Sequence, residues 1–425
     1  MTSPKVPPHV AGLSQGVRVE MPTLRVPLSY LVDDPMPCLN PLYDHRRFFG
    51  AAKRPQTRSG RPLVRTIPAE FLGRFCDVVE AGGVRGKFSV VPNPFGLGEI
   101  DQGFRGCTKR QGLRFIETVR SRLSPNFDIT PEMITHGHAL DLDTGRLLPD
   151  NEAVWSMRQD ADTLTRYLAH ASAILQRAGL DPDGFTSPWN FGAEVESAYA
   201  EAALRAQKQV NGRSLTWYFL AFSRRRRVMP RLMILNRKAR EAVVHIVVGC
   251  SDHLWQTQDT ERTDEHYLRE IADLFITADG KGRIPELVDS GSFVAILSHW
   301  QSLYSNGSEA GIAILGRVFS RIRKLLGTRV VWMKCSEMAR YYAAAQSARA
   351  RAVPRAIRIT SLFACPEFTI SVPAPRRLTA VTVDGSRLRR LGSPARLTSG
   401  TWALTAGRAY LCFDLAESSE ITFGR

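Results

Sequence analysis

Residues 26–34 read VPLSYLVDD, an apolar run that stops at two carboxylates, Asp33 and Asp34. The pattern recurs along the chain. MITHGH (133–138) ends on His136 and His138, AVVHIVVGC (242–250) leads into Asp252 and His253, and FVAILSHW (293–300) reaches His299 and Trp300, with Gln301 next. Each run is short, rich in strand-forming residues and followed by helix-like sequence. Parallel sheets in α/β proteins are buried on both faces and carry their chemistry at the C-terminal ends of the strands, so the pattern predicts an enzyme of that class.

Four more runs complete the count: GKFSVVP (86–92), GFTSPW (184–189), LTWYFLAF (215–222) and RVVWMK (329–334). Helical sequence separates most of them. In 68–83, Pro68 precedes an apolar stripe that Gly82 and Gly83 end, and in 160–178 Leu164, Tyr167, Leu168, Ala171, Ile174 and Leu175 keep helical spacing. The connection between 215–222 and 242–250 is the weakest. Alternating units of this kind predict a (β/α) barrel of seven or eight strands over residues 25–352, preceded by an irregular arm, 1–24. From residue 353 the texture changes to short alternating runs punctuated by Asp-Gly, Ser-Gly and Ala-Gly, which predicts an antiparallel β-sandwich over 353–425.

Composition narrows the function classes. The 425 residues carry 57 basic and 41 acidic side chains, for a formal charge of +16. Between Arg317 and Arg358 eleven Lys or Arg face one acidic residue, Glu337. Only nine of the basic residues are Lys, so the charge reads as an arginine-rich composition. No nucleic-acid-binding motif accompanies it, and nucleic acid is not the expected partner. Seven scattered cysteines with no C-x-x-C pair argue against a disulfide framework and a thiolate zinc site, and point to a reducing compartment. With no signal-like stretch and no apolar run of membrane-spanning length, the expected location is the cytoplasm.

The polar strand ends supply candidate chemistry. Asp33 and Asp34, adjacent on a strand, point to opposite sides, so one can hold a cation while its neighbour handles a proton. His136 and His138, two apart, share one face if the segment is extended, and imidazole with carboxylate suits zinc or another divalent transition metal. His299 is placed as a general acid or base, with Asp252–His253 as a rival pair. Trp189, Trp255 and Trp300 lie near strand ends, where rings could stack on sugars.

Taken together, YLVDD, THGH, TSPWNFG and ILSH resemble, in that order, the motifs of the polysaccharide-deacetylase-like (glycoside hydrolase/deacetylase) superfamily, over residues 25–345. The resemblance implies a metal-dependent deacetylase cleaving an N-acyl or O-acyl bond of an amino sugar or saccharide. It makes Asp33 the catalytic base and His299 the general acid. Asp34, His136 and His138 would hold the metal, zinc being the first candidate. Trp189, Asp252, His253 and Trp300 are the expected carbohydrate-binding side chains. Three motifs depart from the pattern. The first has Pro35 where the family normally has a glycine after the two aspartates. The family's second-motif histidines usually stand four apart, whereas the residue four beyond His136 is Leu140, and 215–227 holds no counterpart of the acidic fourth motif. A metal-free glycoside hydrolase using carboxylates such as Asp33 and Asp252, and a non-catalytic carbohydrate-binding protein, are the alternatives.

Overall fold

The run 26–34 becomes strand β1 (Val26–Asp33), which runs through the middle of a parallel sheet. A computed structural model describes residues 7–48, 55–375 and 377–424, so residues 1–6 of the expected arm lie outside it. The other strands of this sheet are β2 (Gly86–Val90), β3 (Phe127–Pro131), β4 (Phe185–Thr186), β5 (Leu215–Phe222), β6 (Arg231–Asn236), β7 (Glu241–Cys250), β8 (Val294–His299) and β9 (Val330–Trp332). Their order is β3-β2-β1-β8-β7-β5-β4, parallel throughout. Parallel bridges from Ile129 to Pro182 and from Glu132 to Thr186 bring the β3 and β4 edges together.

Two strands are shared. β1 pairs with β9 through Val26–Leu28 and then with β2 through Tyr30–Val32. On β7, residues 241–245 pair with β6, and Val248 and Cys250 with β8. β6 is antiparallel to β7, so the connection that was weakest in helical pattern contains a strand and a hairpin.

Alternation along β1 sorts its side chains. Tyr30 and Val32 join Phe71 and Phe75 of helix α2 (Ala69–Gly82) and Phe319 of helix α5 (Ala310–Leu326), with helices α3 (Lys109–Thr118) and α4 (Ala161–Arg177) contributing to the same core. Helix α1 (Pro41–Phe48) lies on the chain just after β1. On the other face Leu31 joins Phe219, Val244, Ala295 and Leu297, and helix α6 (Cys335–Ser347) covers that set with Met338, Ala339 and Tyr341. The period of two thus puts Ser29, Leu31 and Asp33 on one inner face. Gly86 opens β2 where any Cβ would overlap the Tyr30 carbonyl, so the close approach of β2 to β1 requires glycine there.

Two expectations are corrected. The third strand is Phe127–Pro131, not 133–138, because Met133 (φ 48°) and His136 (φ 52°) take the left-handed region and turn the chain. The arm is not irregular throughout: Arg18–Val19 pairs with Ser371 and Ile370, and Val17, Val19 and Met21 are buried. The C-terminal strands form two sheets that share one apolar cluster with α6 and the inner face of the parallel sheet. The first of those strands, Arg349–Val353, crosses the expected boundary, and one pair, Arg389–Leu391 with Thr401–Thr405, is parallel.

Candidate active site

β1 and β8 are in register so that Asp33 lies opposite His299. Adjacent strands are about 4.8 Å apart, so the two side chains start from neighbouring positions on one face. Asp33 forms an ion pair with Lys87 of β2, whose side chain is fully buried and which also donates to Thr186 Oγ1 at 2.8 Å. A buried ammonium is tolerated only with a counter-charge and hydrogen bonds, and Asp33 with Thr186 supplies both. Burial pushes the Asp33 carboxyl up to about 6, against the pull of Lys87 and His299.

Asp34 takes φ 70° as the chain leaves β1, which swings its carboxylate toward the turn after β3. There Asp34 Oδ1 lies 2.8 Å from His136 Nε2, and Glu132 Oε1 lies 3.4 Å from the same nitrogen. The three donor atoms are mutually within 4.8 Å, and all three residues are buried. Burial disfavours ionisation of Asp34 and of His136. Even so, His136 and His299 hold Asp34 well below the usual carboxylate range, while Asp34 and Glu132 hold His136 well above the usual imidazole value.

Surrounding groups fix these atoms. Glu132 Oε2 accepts from Ser89 Oγ and from the Asp34 backbone N–H, each at 2.6 Å. Gln301 Nε2 donates to Asp34 Oδ2 at 2.5 Å, and its own Oε1 is buried with no hydrogen-bond partner among the described residues. The turn 134–136 is tied down by Glu152, which accepts all three backbone N–H groups at 2.9 Å and the Tyr167 hydroxyl at 2.7 Å. His45 on α1 places its Nε2 2.9 Å from His136 Nδ1. Burial lowers His45 to about 3, so it is neutral and its Nε2 can accept a hydrogen bond from His136 Nδ1–H, which aims His136 Nε2 at the two carboxylates, where a bound cation would take the place of its proton. Two carboxylates and one imidazole, each oriented by a further hydrogen bond, and an orphaned Gln301 oxygen beside them fit a divalent cation with positions left open.

At the opposite side of Asp33, His299 Nδ1 is 2.7 Å from Asp252 Oδ2, and Asp252 also takes the backbone N–H groups of Leu254 and His299. Burial would lower His299, but Asp34 and Asp252 carry it up to about 9. Asp252 orients the ring and leaves Nε2 for the site.

Of the expected residues, the structure brings together Asp33, Asp34, His136, Trp189, Asp252 and His299. Trp189 packs over His136 with ring centres 4.8 Å apart and is 40% exposed. Trp255, 48% exposed, stands edge-on to His299 at 4.8 Å. His138 is not in the cluster. The turn at His136 breaks the shared face, and His138 Nδ1 lies 2.9 Å from the Pro149 carbonyl. Trp300 is also elsewhere, since it opens a helical turn on the outer face and packs among Phe71, Phe75 and Phe88. His253 meets Phe275 edge-on at 4.9 Å. Asp252 serves His299 and is not left to bind a sugar. Glu132, Lys87, His45 and Glu152 were not singled out from sequence. Glu132 stands four before His136, so the spacing of four is present in the opposite direction with a carboxylate at the first position.

No family model matches the chain, and no curated protein matches it. Among solved structures it is similar to a protein assigned as a polysaccharide deacetylase from Mycobacterium smegmatis, at 14% identity over 83% of this chain and 99% of that one, with a TM-score of 0.47. It is similar to a peptidoglycan deacetylase from Bacillus subtilis, at 9% identity over 75% and 92% with a TM-score of 0.35. A third, a CE4 family pseudoenzyme from Bacillus anthracis, matches at 10% identity over 74% and 66% with a TM-score of 0.32. Likenesses this remote, with an inactive protein among them, do not decide function. The site geometry must.

Proposed function

We propose that this chain is a metal-assisted hydrolase that removes an acyl group from nitrogen or oxygen of a carbohydrate, on a parallel sheet closed as a barrel with the C-terminal sheets as a sandwich against it. The observation that carries the reading is the division of labour at the end of β1. Asp34 joins Glu132 and His136 around one point, while Asp33 and His299, which are not donors to that point, face each other beside it. Asp34, Glu132 and His136 would hold the ion, which when bound polarises the acyl carbonyl and lowers the pKa of water. Asp33, kept charged and aimed by Lys87, accepts the proton of the attacking water. His299, held by Asp252, donates one to the leaving amine or alcohol. The donor set has more oxygen than the Asp-His-His set expected from sequence, which keeps zinc in play and adds manganese and iron.

A carbohydrate substrate is supported by Trp189 and Trp255, two exposed indoles packed against His136 and His299 respectively, since sugar rings stack on such faces. The glycosidase alternative loses ground because Asp252 is committed to His299. The test is acetate release from N-acetylated glucosamine oligosaccharides by the metal-loaded chain. His299→Ala should retain the ion and slow turnover by roughly a hundredfold or more. Equal turnover in the two proteins would remove His299 from the reaction.

A further inference from the structure

Behind the Asp34 carboxylate the chain runs through Pro35, Met36 and Pro37 to Cys38, and here two loops meet. Cys38 Sγ lies 2.7 Å from Cys107 Sγ, across a sequence separation of 69 residues. That is closer than two unbonded sulfur atoms ordinarily rest. The backbone on both sides is fixed: the Cys38 carbonyl accepts from the Ile67 N–H at 3.0 Å, while Cys107 exchanges two 2.9 Å hydrogen bonds with Phe104 and immediately precedes Thr108, the capping residue of α3. Met36 and Leu39, close to Cys38 in sequence, form a small apolar cluster with Val91 and Phe95, and Phe104 packs against it. Neither thiol can drift far from the other while these anchors hold.

Access is asymmetric. Cys38 is half-buried and the other six cysteines are buried, so a reagent from solvent reaches this pair through Cys38. We propose that Cys38 and Cys107 form a redox-active dithiol, oxidised to a disulfide by exchange with a small-molecule disulfide such as oxidised glutathione. The Cys38 thiolate attacks one sulfur of glutathione disulfide, forming a mixed disulfide and releasing one glutathione thiolate. The Cys107 thiolate then attacks the Cys38 sulfur, forming the internal bond and releasing the second. Two electrons pass to glutathione, and the two thiol protons leave with the two glutathione thiols, so excess glutathione runs the sequence backwards. The hydrogen bond between the thiols supports this order, because it lowers Cys38 and raises Cys107, favouring Cys38 as first nucleophile. The inference does not depend on the hydrolase reading. It qualifies the sequence expectation of scattered, unpaired cysteines: the spacing gave no sign of a pair because the partners come from different loops.

The experiment takes the full-length chain, reduces it, equilibrates it in glutathione buffers of rising oxidised-to-reduced ratio, alkylates the remaining thiols and maps the peptides by mass. A peptide linking Cys38 to Cys107, two hydrogen masses lighter than its separated parts, should accumulate as the ratio rises, while the other five cysteines take the alkylating reagent after unfolding. In Cys107→Ser the exchange should stop at glutathione attached to Cys38. The oxidised wild type should melt several degrees above the reduced protein, because a bond across so long a loop constrains the unfolded chain. Absence of the linked peptide in the most oxidising buffer, or glutathione persisting on Cys38 of the wild type, would overturn the proposal.

Discussion

The parallel sheet buries carboxylates on one inner face at both ends, and they are treated in opposite ways. At the α6 end, Asp128 of β3 accepts the Ser336 backbone N–H and the Ser336 hydroxyl, each at 2.7 Å, and stands in register with Lys87. It is closed off by the first turn of a helix that plugs the sheet. At the other end, Asp34 and Glu132 converge on one imidazole, with Asp33 and His299 beside them and the indoles of Trp189 and Trp255 against the two imidazoles. One end satisfies each acid within the fold, whereas the other gathers acids around a shared point. The buried acid at the α6 end is satisfied by the fold, and on the proposed reading those at the far end are kept for a ligand.

Lys87 is where the two ends meet, and removing it gives the largest of the stability effects expected. Lys87→Met leaves Asp33 buried without its counter-ion, at a cost of about 3–5 kcal/mol. Asp33→Asn added to it should recover much of that loss, as read from chemical denaturation. If Lys87→Met unfolds at the wild-type midpoint, the ion pair is not what makes this buried ammonium tolerable.

His45 sharpens the ligand end. Its imidazole fixes the proton of His136 from behind, and loss of such a partner typically lowers metal affinity by 10–100-fold. His45→Phe should weaken binding by that factor in a chelator competition while leaving the melting temperature nearly unchanged. Unaltered affinity would mean that His136 needs no help to present Nε2.

The smallest effect belongs to the plugged end. Burial, with Asp183 adding to it, raises Asp128 well above its ordinary value of 3.8, so the folded chain binds a proton that the unfolded chain releases. Its contribution to stability is therefore greatest in acid and falls as pH climbs above that value. Asp128→Asn should flatten this part of the stability profile between pH 4 and 7. A profile that keeps its wild-type slope would assign the dependence to another group.

Much of this was legible in the sequence. Apolar runs ending in polar residues located β1, β2, β5, β7 and β8, and through them Asp33, Asp34, Asp252 and His299, because strand alternation and strand ends depend on local pattern. The misses share a physical cause. His138 was assigned by assuming an extended chain through 133–138, whereas Glu152, fourteen residues after His138 and unremarkable in sequence, bends that segment into a turn. Glu132 carries no strand-end signal, because the apolar run MIT follows it directly and the true strand, Phe127–Pro131, ends one residue before it. Lys87 did leave a signal, a lone ammonium inside GKFSVV, since such a residue in a buried strand demands a partner. His45 left none, for nothing local says which way α1 faces. The expected roles of Trp300 and His253 failed because a strand end fixes where a residue sits and not the face its ring takes.

The account stands most directly on the ion. The measurement is elemental analysis of the wild type and of Asp34→Ala after incubation with zinc, cobalt, nickel or manganese and removal of free metal. One ion per wild-type chain, and loss of most of it in Asp34→Ala, is the expected result, because one of three protein donors would be gone. A wild type that retains no ion, or a variant that retains as much, would contradict the claim that Asp34, Glu132 and His136 form a metal centre.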